Sequence, residues 1–269
     1  MHRARDLLTS LLLCVCLPAV AQATSTVDLH ARFVPERLGQ NTTLEFSARI
    51  SSADGYVTPP LTELDVRYPQ DIGISAGELG LETCARTTLE VLGPEGCPAD
   101  SRMGEGSAIA EVPIGPHVFI EEATVTILRA PEESGHLALL LFANGLTPVY
   151  AQIATTGLLL PATVSYGGSV DITVPLIPGL PGGPDVSLVQ LNATLGPLGL
   201  TYYEHVHGRL VAYKPRGILL PRKCPRHGFA FSANFTFLDS SHTSANTSVP
   251  CPPRHGGDAT ERAHAASSS

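Results

Sequence analysis

Phe229-Ala-Phe-Ser-Ala-Asn-Phe-Thr-Phe-Leu238 decides the fold class. Phe229, Phe231, Ala233, Phe235 and Phe237 recur at every second position, with Ala230, Ser232, Asn234 and Thr236 between them. Alternate side chains of a strand point to opposite faces, so this period of two predicts a strand with a one-sided aromatic load. Four of the chain's 8 phenylalanines sit on that face, so the core must gather around it. Asp239-Ser-Ser241 supplies turn chemistry, and Thr243 to Val249 reads as the returning strand, ending at Cys251.

Working outward from this hairpin, the same alternation recurs. Residues 27–34 place Val27, Leu29, Ala31 and Phe33 against Asp28, His30 and Arg32. Residues 44–50 turn Leu44, Phe46, Ala48 and Ile50 inward, and residues 61–68 do so with Leu64, Val66 and Tyr68. Further strands are expected at 106–112, 118–128, 137–143, 149–155, 158–164, 170–176 and 186–195. Thr87 to Leu92 predicts a short helix ended by Gly93-Pro94 and flanked by Cys84 and Cys97. Ile177-Pro-Gly-Leu-Pro-Gly-Gly-Pro184 is short enough for a loop crossing the domain rather than a linker. Closely spaced strands without a long amphipathic helix predict an all-β fold, a β-sandwich or jelly-roll-like arrangement, with one short disulfide-stapled helical cap. The strands are expected to form a single β-rich domain over residues 24–253. Two packed subdomains meeting near residues 114–118 are the alternative. The Ala/Ser-rich stretch 254–269 reads as a disordered tail.

The start of the chain carries Arg3 and Arg5, then the apolar run from Leu7 to Leu17, then Ala19-Val-Ala-Gln-Ala23. This is the pattern of a secretory signal peptide over residues 1–23, and it is too short for a membrane span. Bulky residues precede Cys14 and Cys16 where a lipoprotein signal needs small ones. The expected product is therefore secreted or held in the cell envelope, without a transmembrane segment.

Cleavage leaves Cys84, Cys97, Cys224 and Cys251. Four cysteines in an exported chain read as two disulfides with three possible connectivities. Because each pair brackets one loop-rich segment, Cys84–Cys97 and Cys224–Cys251 are expected. Loop closure would contribute about 3 and about 3.6 kcal/mol respectively. There is no C-x-x-C pair to suggest structural zinc. Removing Arg3, Arg5 and Asp6 from 17 basic and 25 acidic residues leaves a net charge of −9, which argues against nucleic acid and anionic membrane surfaces as partners. The chain has no tryptophan, which weakens the case for stacking on sugar rings, although tyrosine can serve. The sequons at Asn41, Asn192, Asn234 and Asn246 would carry surface glycans only in a eukaryotic secretory path.

The pattern Cys84, Gly93-Pro94-Glu-Gly-Cys97-Pro-Ala-Asp-Ser101 and Met103-Gly-Glu-Gly106, with the closing Ser248-Val-Pro-Cys251-Pro, resembles a set of uncharacterised secreted proteins of high-GC actinobacteria. The resemblance runs over most of the chain after residue 23. It implies export, disulfides and a β-rich extracellular fold, and implies no activity.

No H-E-x-x-H, phosphate loop, dinucleotide fingerprint or EF-hand spacing occurs. The best local constellation is Tyr202-Tyr-Glu-His205-Val-His207. On a strand His205 and His207 would share a face and could offer two imidazoles to one metal, with His227, Asp171 or Asp185 as a third ligand. The doublets Glu121-Glu122 and Glu132-Glu133 read as solvated charge, since neighbours on a strand face opposite ways. By elimination the expected role is non-catalytic binding or structural work outside the cell, with a cell-surface component or polysaccharide as the partner class. The Pro-rich connector and the Tyr202–His207 region are the candidate binding elements. The alternative is an extracellular hydrolase or metalloprotein using His205 and His207.

Overall fold

The computed structural model describes residues 25–53, 55–73, 82–147, 150–196, 201–214 and 217–252. The expected signal peptide and C-terminal tail lie outside these residues. Most strands form near the alternations that predicted them: β1 (Ser25–Val34), β2 (Asn41–Ser52), β3 (Leu61–Tyr68), β4 (Arg102–Ile114), β5 (His117–Glu133), β6 (His136–Gly145) and β7 (Ala151–Leu160). They continue as β8 (Gly168–Thr173), β9 (Ser187–Leu195), β10 (Tyr202–Val206), β11 (Arg209–Tyr213), β12 (Ile218–Leu219), β13 (Phe229–Phe237) and β14 (His242–Val249). The helix α1 (Arg86–Leu92) lies between β3 and β4.

The expected sandwich or jelly roll is corrected to a single, nearly closed antiparallel sheet. Eleven strands follow one another in the order β1-β2-β9-β4-β5-β6-β7-β8-β3-β13-β14, and β12 adds two residues to β2. Two chain excursions make the sheet continuous. β3 leaves β2 and inserts between β8 and β13, and β9 returns to fill the space between β2 and β4. The ends β1 and β14 then lie side by side, tied where the Thr243 hydroxyl donates to the Ser25 carbonyl at 2.8 Å. Alternation reveals that one face of a strand meets a core. It is silent on whether the opposite wall belongs to a second sheet or to the same sheet curled round, and that is where the expectation failed. The stretch 114–118 holds the β4–β5 turn, with Ile114 paired to His117 inside the same sheet. The two strands expected at 149–155 and 158–164 are one, β7, because Gly157 is an inward position and not a turn, where a Cβ would come within 3.4 Å of the Ile172, Leu141 and Val170 side chains.

The inner face is apolar and the outer face polar. Leu29, Phe33, Phe46 and Ile50 point in with β13's four phenylalanines, all at most 7% exposed, while Asp28, His30, Arg32 and Arg49 meet solvent. This is the reverse of a membrane barrel, whose apolar band faces outward. Among the described residues no helix is long and apolar enough to cross a membrane.

A second, smaller core lies on the outside of the barrel wall. Leu128, Ala130, Ala138, Leu140, Phe142 and Ala154 face away from the lumen on β5, β6 and β7, and the cap carrying Cys84, Leu89 and Cys97 covers them. Seven residues are too few for an isolated helix to be stable, and α1 has no side-chain N-cap. Its hold is tertiary: Leu89 is fully buried, Arg86 Nη2 donates to the Ala154 carbonyl at 2.9 Å, and Cys84 is bonded to Cys97. Cys224 is bonded to Cys251, joining the approach to β13 with the exit from β14. Both expected pairings are present, and they suggest an oxidising, extracellular environment.

Candidate functional site: an apolar cavity in the barrel

An eight-stranded barrel is just wide enough for its side chains to fill, and diameter grows with strand number. Eleven strands therefore enclose more space than average side chains occupy. Here the load is unequal. The β13 wall projects phenylalanines, while the facing wall projects small residues at successive inward positions. Register puts Ala108 of β4 beside Ala123 of β5, Ala123 beside Gly145 of β6, and Gly145 beside Ala151 of β7. One step along, Val125 pairs with Ala143 and Ala143 with Ile153. The missing volume is an apolar cavity of about 180 Å³ between this wall and Leu61, Leu64, Leu188 and Leu191.

The Pro-rich connector lies across this end of the barrel. Pro175, Ile177, Pro178 and Gly179 line the cavity. The segment folds on itself: Gly179 N–H donates to Pro184 O at 2.9 Å, Gly183 N–H to Leu180 O at 2.8 Å, and Val186 N–H to Ile177 O at 2.7 Å. A Cβ on Gly179 would come within 2.7 Å of the Pro113 carbonyl, so glycine there lets this strap sit directly on the end of β4. The connector, expected as a loop across the domain and a candidate binding element, is the roof of the cavity.

Among the described residues of the lining Glu121 is the charged one, and it is only 7% exposed, against the expectation of a solvated doublet. Its Oε1 accepts from the Thr147 N–H at 2.9 Å, while Glu122 faces solvent. The parity of the strand explains it: Ala123, Val125 and Ile127 point in, so Glu121 must as well, and Glu122 must point out.

The histidine pair is placed differently from its expectation. β10 ends at Val206, and His207-Gly208 forms the two-residue turn to β11, with φ of 49° and 75°. Positive φ at both central residues is the type I′ hairpin geometry. His207 thus lies in the turn while His205 lies on the strand opposite Leu210, both exposed. Asp171 sits beside Asp65 on the β8–β3 ladder, Asp185 bridges to Pro178 in the strap, and His227 precedes β13. Among the described residues no group of three or more His, Cys, Asp and Glu is arranged to hold a metal.

The β10–β11 hairpin does carry a titrating contact. It packs on the Ala99–Ser101 turn of the cap, where the Asp100 and Glu204 carboxyls lie close enough to act on each other electrostatically. Burial and then the Glu82 charge push Asp100 up from the usual carboxylate range, and burial, Asp100 and Glu82 do the same to Glu204. Arg102 lies 5.2 Å from the centre of the Tyr202 ring on the same contact. A carboxyl whose folded pKa exceeds its unfolded value stabilises below the unfolded pKa and loses that contribution as pH rises through the folded one. The hairpin is therefore expected to hold more tightly in acid and to loosen as pH climbs above about 4. Hydrogen exchange of residues 202–213 followed across pH should accelerate beyond its intrinsic pH dependence in the native chain. Glu204→Gln, which removes one of the two raised carboxyls, should reduce that excess.

No protein-family model matches the chain, and neither a curated protein nor a solved structure matches it, so the reading of this site rests on its own geometry.

Proposed function

We propose that the protein is an exported, non-catalytic binding protein that holds a small apolar ligand inside its barrel. The observation that carries this reading is the cavity itself, an aliphatic space of about 180 Å³ beneath the proline strap. Well-packed interiors have few voids larger than a water molecule. An empty apolar cavity costs stability, and one of about 150 Å³ stays dry and takes benzene or xenon. The wall that makes it is a row of four small residues on four successive strands. Disulfides and an outward polar face fit a protein working outside the cell.

The expected result is a saturable rise in Tm of the oxidised protein with benzene or cyclohexane, corresponding to about 2.7 kcal/mol at a hundred times Kd. Ala123→Leu places a larger side chain in the cavity and should remove most of that rise while leaving the far-ultraviolet spectrum unchanged. No ligand-dependent rise in the native protein, or an equal rise in the filled variant, would contradict the proposal.

A further inference from the structure

The wall of the barrel has a seam. β7 pairs with β6 from Ala151 to Leu158, but β8 meets it only from Gly157 to Leu160, opposite Ser169 to Ile172. The cause is in the sequence. Pro175 and Pro178 follow β8, and proline has no N–H to continue a ladder. Val174 N–H turns the other way, donating to Thr62 O on β3 at 2.8 Å. Among the described residues, no backbone hydrogen bond joins residues 151–156 of β7 to the strap. The Thr155 hydroxyl reaches Thr173 O, and Arg86 of α1 reaches Ala154 O from outside.

Outside this seam lies a groove of about 540 Å³ between the strap and α1. It shares Ala151, Ile153, Pro175, Ile177 and Pro178 with the internal cavity, so the two spaces flank the same stretch of wall at the seam. Their chemistries differ. The inner space is aliphatic, whereas the groove adds Arg86, Glu90 and Gln152. Arg86 and Glu90 are paired, Nε to Oε1 at 2.7 Å, so the groove presents both signs and no net charge.

From this gradient we infer that the seam is the portal of the cavity and that the ligand is a neutral single-chain amphiphile, its aliphatic chain inside the barrel and its uncharged polar head in the Arg86–Glu90 groove. The inference rests on the cavity being the binding site. About 180 Å³ admits one chain segment of roughly seven carbons, by comparison with benzene in a slightly smaller cavity, and leaves no room for a second chain. In the groove an anionic head would be opposed by Glu90 and a cationic head by Arg86.

The test uses three probes with one chain, 1-octanol, octanoate and octylamine, titrated calorimetrically into the full oxidised protein at neutral pH. Octanol is expected to bind one to one, with octanoate and octylamine at least tenfold weaker. Glu90→Gln leaves Arg86 unopposed and should improve octanoate relative to octanol at least fivefold. Arg86→Gln should favour octylamine in the same way. Ala123→Leu should weaken all three together.

If octanol binds and Ala123→Leu weakens it while both groove variants leave the head preference unchanged, the portal and head assignment is overturned and the cavity reading stands. If the charged probes bind the native protein as well as octanol, the neutral-head assignment is overturned. If no probe binds and the filled variant changes nothing, the cavity reading itself fails. Both groove residues are about half exposed, so the variants should fold, and Glu90→Gln spares the Arg86–Ala154 tie if its partner does not.

Discussion

Phe235→Ala is expected to cost about 3–5 kcal/mol of folding stability. Phe235 is 1% exposed and packs in the cluster that holds Leu29, Phe46, Ile50, Leu61, Leu64 and Phe237. Its strand is paired on both sides, with β3 through Leu64 and with β14 through Thr243. The truncated side chain leaves a void that a wall held by two ladders cannot collapse into, so the cost belongs at the upper end of the range for large-to-small core changes. A domain of ordinary stability has about 5–15 kcal/mol in total. The variant should therefore unfold at a much lower urea midpoint with an unchanged slope. Leu238, the next apolar residue, is 47% exposed and lies past the end of the strand. Leu238→Ala should stay within about 0.5 kcal/mol of the native protein. Equal losses at the two positions would mean that β13 does not line the core.

Loss of the Cys84–Cys97 bond is the second large effect. The bond closes a loop with a sequence separation of 13, for which chain entropy gives about 3 kcal/mol. The consequence is local before it is global. Without the staple, α1 depends on Leu89 and the Arg86–Ala154 hydrogen bond, and its seven residues cannot hold helical structure alone. The outer core beneath it, Leu128, Leu140 and Phe142, becomes accessible to water. Cys84→Ala/Cys97→Ala should thus lower stability by about 3 kcal/mol. It should raise hydrogen exchange in Arg86–Leu92 and along β6, while β13 and β14 stay protected. The same variant dismantles the Arg86–Glu90 side of the portal, so it should also lose discrimination among octanol, octanoate and octylamine. Uniform loss of protection through the whole barrel would show that the cap is part of the main cooperative unit.

Much of this fold was legible in the alternation. β1, β2, β3, β13 and β14 stand within a few residues of where the inward apolar positions put them, and the local cysteine pairings follow the two loop-rich segments. Two things were less legible for physical reasons. A period of two names a buried face without naming what faces it, so a curled single sheet and two stacked sheets write the same pattern. Gly157 has the look of a break but is an inward position where a Cβ would crowd Ile172, so a continuous β7 was divided.

The candidate site was half legible. The proline connector drew attention through composition and roofs the cavity. Tyr202–His207 drew attention through chemistry, but His207 and Gly208 hold the two positive-φ positions of a type I′ turn, and that turn removes His207 from the face of His205. The row of small residues was in plain view. Ala108, Ala123, Gly145 and Ala151 occupy inward positions of four adjacent strands. Reading polarity alone classes alanine with leucine; reading size would have marked one wall as too thin to fill a wide barrel. Glu121 shows the same lesson, because counting in twos back from Ile127 puts one carboxyl of the doublet inside.

The central claim is that the barrel encloses an apolar space open to small ligands. Crystals of the oxidised protein pressurised with xenon test it most directly, since xenon fills dry apolar cavities and scatters strongly. The predicted result is one well-occupied xenon atom inside the barrel, among Ala108, Ala123, Ala143 and Ile153 beneath the proline strap. A lumen filled by repacked side chains, or xenon bound only on the outer surface, would contradict it.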